Sequence, residues 1–320
     1  MPAPAGTPPL YWAIFIVAVL FFLALDLGVF HRKARAVRLT EALAWTAAWV
    51  VFALIFGVAV APAMVPAWAR QNTFEFLTGY LIELSLSMDN VFVIALIFAY
   101  FRVPQQFQHR VLFWGILGAL VMRGVMIWLG VELIHRFNWM FYVLGVFLIF
   151  TGIKMVFLGH DEVHPEKNLI IRLTRRLFAV SPDYEGQRFV TTLNGRRALT
   201  PLALVLVTVE TSDLIFAVDS IPAIFAVTQD AFIVFTSNVF AILGLRSLYF
   251  VLAGAIRYFR YLKVGLAIVL MFIGAKMLLI HTAYEVSIGL SLAVVAGIIL
   301  VSMLLSIVAA RKEPTRSINE

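Results

Sequence analysis

Long apolar runs separated by short polar segments dominate the chain. Nine of them approach or exceed the ~20 residues that an α-helix needs to cross the ~30 Å hydrocarbon layer. They fall near residues 10–30, 42–66, 74–100, 110–134, 138–158, 199–227, 231–255, 262–281 and 286–309. The fifth and sixth are separated by a long polar loop, 159–198, in which Leu169–Leu177 reads as a helix and Asn194-Gly195 as a turn. The pattern predicts an all-α polytopic membrane protein. Residues 1–72 carry two spans, 73–158 and 199–284 carry three each, and 285–320 carry the last span and a tail. The basic cluster Arg32-Lys33-Ala34-Arg35 follows the first run instead of preceding it, so that run reads as a span and not as a cleavable signal.

Composition agrees with lipid as the main solvent: 62% of residues are hydrophobic and 13% charged, against about 25% charged in soluble domains. The net charge of +7 would suit a nucleic-acid binder, but the positions of the bases say otherwise. With an outside N-terminus and nine crossings, 19 of the 25 Lys and Arg residues fall in inside segments, while only Arg70 and Arg136 fall outside. That asymmetry is topological; no nucleic-acid partner is expected, and the C-terminus is expected inside. The absence of cysteine excludes disulfides and thiolate metal sites.

Three short matches recur in order. Ser87-Met88-Asp89-Asn90 aligns with Ala217-Val218-Asp219-Ser220, the stretch ending at Arg123 with the one ending at Arg246, and Gly152-Ile153-Lys154-Met155 with Gly274-Ala275-Lys276-Met277, at offsets of 130, 123 and 122 residues. Each copy is an acid helix, an arginine helix and a lysine helix. Three spans per copy is an odd number, so the copies are expected to have inverted topology, with a substrate site near the midplane where they meet.

The polar residues inside these spans carry the candidate chemistry. An ionisable side chain at the centre of a span costs about 2.5–3.5 kcal/mol on insertion scales. Here Glu83, Asp89, Glu210, Asp213 and Asp219 are opposed by Arg123, Lys154, Arg246 and Lys276. The bases are expected to balance charge, and the acids to meet a ligand. Glu210 and Asp213 share a helix face, whereas Asp213 and Asp219 lie about 9 Å apart along a regular helix. Pro222 lacks an N–H and clashes with the carbonyl of Val218, so an interrupted helix is expected beside Asp219. Carboxylates, Asn90, Ser87, Ser212 and Ser220 are oxygen donors, which suit hard divalent cations such as Mg²⁺, Ca²⁺ and Mn²⁺. The expected metal-binding set is Glu83, Asp89, Asn90, Glu210, Asp213 and Asp219, with the second segment supplying the larger share.

Other features have plainer readings. Asp26 is expected to pair with Arg32 or a neighbour. His160-Asp161-Glu162-Val163-His164 has metal-like spacing, but Pro165 follows, and it reads as solvated loop. Trp12, Trp68 and Trp139 suit an interfacial belt. Gly115, Gly118, Gly124 and Gly130 suit close helix packing.

At Leu77–Asn90 (LTGYLIELSLSMDN), Val209–Val227 (VETSDLIFAVDSIPAIFAV) and Phe232–Arg246 (FIVFTSNVFAILGLR) the chain resembles the TerC family, especially its Alx-type bacterial members. The likeness runs through nearly all the spans and is weakest in the 159–198 loop and the tail. The resemblance implies a place in the wider LysE-like transporter group, a bacterial inner-membrane location and export of Mn²⁺ from the cytoplasm. The family's acidic positions fall on Glu83, Asp89, Glu210, Asp213 and Asp219, without substitution.

The leading expectation is therefore a secondary exporter of Mn²⁺ or a similar hard cation, not an enzyme, with the metal as substrate and no prosthetic group. Its partners are the ion, protons and the bilayer; the oligomeric state is left open. Moving two charges outward against ~100 mV costs about 4.6 kcal/mol, and the chain has no nucleotide-binding motif, so H⁺ antiport is expected. One alternative is a membrane scaffold of metal or tellurite stress response without transport. A remote one is an intramembrane aspartyl protease using Asp89 and Asp219, against which Met88 and Val218 stand where glycine would be expected.

Overall fold

The structure is a computed structural model describing residues 7–25, 39–66, 68–137, 139–157, 169–193, 195–253, 261–279 and 286–312. Asp26 and the basic cluster after it, the His160–His164 stretch, Asn194 and residues 313–320 lie outside these.

Each apolar run forms a helix. In chain order these are α1 (Pro9–Leu25), α2 (Leu39–Ile55), a π-helical turn Phe56–Val60, α3 (Ala61–Met64), α4 (Arg70–Tyr100), α5 (Gln105–Arg136) and α6 (Met140–Phe157). After the polar loop come α8 (Pro201–Phe225), α9 (Ala231–Ala253), α10 (Leu262–Leu278) and α11 (Ile288–Lys312). Among the described residues, seven helices are long and apolar enough to cross a membrane. Helices α1 and α10 have 17 residues each, at the lower limit of the span range. The loop holds α7 (Leu169–Leu177), as expected, and a hairpin of β1 (Val190–Leu193) and β2 (Arg196–Leu199), which the isolated turn signal did not predict.

Helix ends follow local chemistry. Pro201 occupies the first turn of α8, where a missing N–H is harmless. Asp230 caps α9 by accepting the N–H groups of Phe232 at 2.8 Å and Ile233 at 3.3 Å. The expected interruption beside Asp219 does not occur: α8 runs unbroken through Pro222. The proline sits in the last turn, so it removes one bond, to the Val218 carbonyl, without breaking the helix. Helix α4 is also continuous over 31 residues.

Most of α9 is buried, whereas α2, α6 and α11 present most of their surface outward. Between the two sequence copies, α4 packs on α8, α9 and α10, α5 on α8 and α9, and α6 on α8 and α10. Exchanging α4, α5 and α6 for α8, α9 and α10 returns the same set of pairs. Corresponding helices run antiparallel. On α6 and α10, Gly145 faces Gly274 while Gly152 faces Ala267; on α4 and α8, Gly79 faces Ile224 and Asn90 bonds Asp213. At the 122-residue offset Gly145 corresponds to Ala267 and Gly152 to Gly274, so each of the two α6–α10 contacts is the mate of the other.

The α6–α10 contact is backbone against backbone. A Cβ on Gly274 would lie 2.6 Å from the Gly145 carbonyl oxygen, and one on Gly152 would lie 2.7 Å from that of Ala267. Gly274→Ala is expected to lower stability by about 1–3 kcal/mol through overpacking. Gly297→Ala on α11, where no atom lies within 4 Å, is expected to be neutral or mildly stabilising. Thermal unfolding in detergent checks the pair.

Candidate functional site

Most hydroxyls within the spans donate to the carbonyl four residues back, as Thr78, Ser85, Thr208, Ser212 and Thr236 do. This is the cheap solution in lipid, because the helix satisfies its own side chain. Ser87, Thr151 and Ser220 do not follow it, and all three lie at one site.

The centre is Arg123, on α5 and 2% exposed. Its Nε donates to Asp213 Oδ2 at 3.1 Å and its Nη2 to Asp213 Oδ1 at 2.8 Å, a bidentate pair across to α8. Nη1 donates to Glu83 Oε1 on α4 and, at 3.3 Å, to Asn238 Oδ1 on α9. Asn90 Nδ2 donates to Asp213 Oδ1 at 2.6 Å, closing α4 onto α8. One guanidinium thus joins four helices and neutralises one of two carboxylates.

Beside this knot lies a cavity of about 610 Å³ between α4, α6 and α8. Glu83, Ser87, Asp89 and Asn90 reach it from α4, Ser212, Asp219 and Ser220 from α8, and Thr151 and Lys154 from α6. Thr151 Oγ1 donates to Asp219 Oδ1 at 3.4 Å, and Lys154 lies within electrostatic reach of Asp219. Lys263, at the start of α10, is within reach of Asp89. Four buried oxygens along the cavity wall have no hydrogen-bond partner among the described residues: Glu83 Oε2, Ser87 Oγ, Asn90 Oδ1 and Ser220 Oγ. Such groups cost about 1–3 kcal/mol each unless an ion or water completes them. At the 130-residue offset the mate of the Asn90–Asp213 bond is a Ser220–Glu83 bond, and there both partners are left open. Oxygen donors of this kind are the type that suits a hard cation.

Of the expected metal set, Glu83, Asp89, Asn90 and Asp219 line the cavity, and Asp213 lies behind Asn90, held by Arg123. Among the described residues no three His, Asp or Glu side chains converge closely enough to hold one ion by themselves; the open oxygens include an amide and two hydroxyls. Three of these four come from α4, so this conformation does not place the larger share on the second segment. Glu210 is turned away. Its carboxylate lies over Gly118 of α5, where a Cβ would collide with it; only glycine leaves room for it. The bases divide likewise. Arg123 and Lys154 are at the site, Arg246 lies among Phe22, Trp45 and Trp49 near α1 and α2, and Lys276 is near Glu75. Sequence reasoning passed over Asn238 and Thr151. Asn238 had a signal, an amide in the middle of an apolar run, whereas Thr151 did not differ from the self-satisfied threonines.

Replacing Arg123 by Gln leaves Glu83 and Asp213 buried without their cation. The expected cost is about 3–5 kcal/mol, read as a lower unfolding temperature in detergent. Arg123→Lys is expected to recover only part of it, because an ammonium lacks the bidentate fork. An unchanged unfolding temperature in Arg123→Gln would refute the network.

Known proteins place this architecture. The profile described as "Integral membrane protein TerC family" matches residues 68–314. A relative from Myxococcus xanthus, "Uncharacterized membrane protein STKORF319", is 52% identical over 310 residues, covering 97% of this chain and 95% of its own. Proteins from Escherichia coli K12 and Shigella flexneri, each named "Putative membrane-bound redox modulator Alx", are 47% identical over 306 residues, covering 94% of this chain and 95% of their own. No solved structure matches significantly. Residues 68–314 take in both acid helices, Arg123 and the whole cavity, and the chain belongs to the TerC family of integral membrane proteins.

Proposed function

We propose that this protein is a secondary transporter that exports Mn²⁺, or a closely similar hard divalent cation, from the cytoplasm in exchange for protons. The observation that carries the reading is the group of four open, buried oxygens on one cavity wall, beside two carboxylates tied to a single arginine. A stable scaffold does not need open acceptors, since a fully paired network costs less. A protease dyad needs two aspartates that share a proton, whereas Asp89 and Asp219 lie near Lys263 and Lys154.

In this reading the copies α4–α6 and α8–α10 are inverted repeats, nine helices cross the bilayer, and the N-terminus is outside and the C-terminus inside the plasma membrane. The antiparallel pairing of corresponding helices supports the inversion, and the distribution of Lys and Arg supports the orientation. The ion enters between α4, α6 and α8 and is held by Glu83, Ser87, Asn90 and Ser220, with Asp89 and Asp219 drawing it in. Arg123 positions Glu83 and Asp213 and limits the charge that an ion must offset. The redox role in the Alx name fits an indirect effect. The chain has no cysteine for thiol exchange, whereas manganese, unlike magnesium or calcium, is redox-active.

Reconstitution into proteoliposomes tests this. Mn²⁺ flux is expected to follow an imposed pH gradient and to fall at least about tenfold in Glu83→Gln, Asp89→Asn and Asp219→Asn, equivalent to ~1.4 kcal/mol or more, with elution profiles unchanged. Flux indifferent to the pH gradient would sink the antiport, and full flux in all three variants would sink the site.

A further inference from the structure

A second buried acid lies on α4, two turns before Glu83. Glu75 is 8% exposed and fully engaged. Thr228, in the α8–α9 turn, donates to its Oε2 at 2.6 Å, and Gln71 donates to its Oε1 at 3.0 Å. Thr228 Oγ1 in turn accepts the N–H of Asp230, the residue that caps α9. Lys276 of α10 is within electrostatic reach of Glu75. This cluster ties the first copy to two elements of the second, at the end of α4 away from the cavity.

Its importance comes from the correspondence between α6 and α10. Phe147, Thr151 and Lys154 line the open cavity. At the 122-residue offset their mates are Val269, Ile273 and Lys276, which are 0%, 2% and 7% exposed. Val269 and Ile273 are packed in one apolar cluster with Ile82, Ile221, Ile224 and Val295. One side of the molecule is open and its mate is shut. The polar cluster exists only on the shut side: at the 130-residue offset Glu75 corresponds to Val205 and Thr228 to Phe98, which cannot form it.

We propose that Glu75, Thr228 and Lys276 form a latch that holds the α10 side closed, and that its release opens there a second cavity, the mate of the one on the α6 side. The idea rests on the transporter reading for its purpose, though not for its test. Helix α11 moves with α10, because Gly265 packs directly on Ser302 and the N–H of Tyr261 donates to Ser306 Oγ at 2.9 Å. In the exchanged state Lys276 leaves Glu75 and faces Asp89, as Lys154 now faces Asp219. The antiparallel glycine contact between α6 and α10 serves as the pivot, since it is unchanged by the exchange.

The cysteine-free chain makes the test direct. Full-length Thr151→Cys and Ile273→Cys, each the sole cysteine, are reconstituted and treated with a water-soluble maleimide without metal. Thr151→Cys is expected to react quickly and Ile273→Cys slowly. Adding Thr228→Val removes the hydrogen bond to Glu75, and Glu75→Gln removes the carboxylate that faces Lys276; each is expected to raise the Ile273→Cys rate about tenfold and slow Thr151→Cys. Thr228→Ser keeps the hydroxyl and is expected to behave like the parent. Unchanged rates at Ile273→Cys in both latch variants overturn the proposal. So does a simultaneous rise at both positions, because a latch trades one opening for the other. Exchange of reactivities in a protein that moves no Mn²⁺ would keep the latch and remove only the transport reading.

Discussion

A guanidinium surrounded by hydrocarbon needs anions in contact with it, and Arg123 has two, from different helices. Its bonds to Glu83 and Asp213 set the distance between α4 and α8, and its contact with Asn238 adds α9. Away from water these interactions are weakly screened, and breaking one leaves a bare charge in a low-dielectric interior. The cavity, its open oxygens and the paired acid helices all take their positions from this knot. It also sets two carboxylates against one guanidinium.

Around that centre the helix pairings between α4–α6 and α8–α10 are matched. Contacts between the two copies come in matched pairs, and the α6–α10 contact is its own mate. Departures from symmetry occur where side chains differ. Asn90 bonds Asp213, while its counterpart Ser220 is too short to make the matching bond and leaves Glu83 half open. Glu210 has Tyr80 as its counterpart, so an acid on one side is an aromatic ring on the other. Glu75 and Thr228 have only apolar counterparts. In the transporter reading proposed above, such a scaffold with unequal side chains would supply two related conformations of unequal energy, as facing alternate sides requires.

Much of this was legible along the chain because lipid imposes strict rules. Apolar length and charges within spans each have few explanations, and they led to the helices and the buried acids. Leu169–Leu177 was read correctly for the same local reason. Pro222 was misjudged because a proline breaks a helix only when much helix remains beyond it, and here three residues do. The hairpin at 190–199 was missed because strands of four residues carry little periodicity.

The sequence by itself determined which groups must be paired or used, since no charge can be left alone in hydrocarbon. It could not determine which pairs form. Helical spacing put Glu210 beside Asp213, but the tertiary structure laid Glu210 over Gly118 and gave Asp213 to Arg123. Four bases looked equivalent, yet packing brought only Arg123 and Lys154 to the cavity. Those choices depend on distances between helices remote in sequence, which only their packing sets.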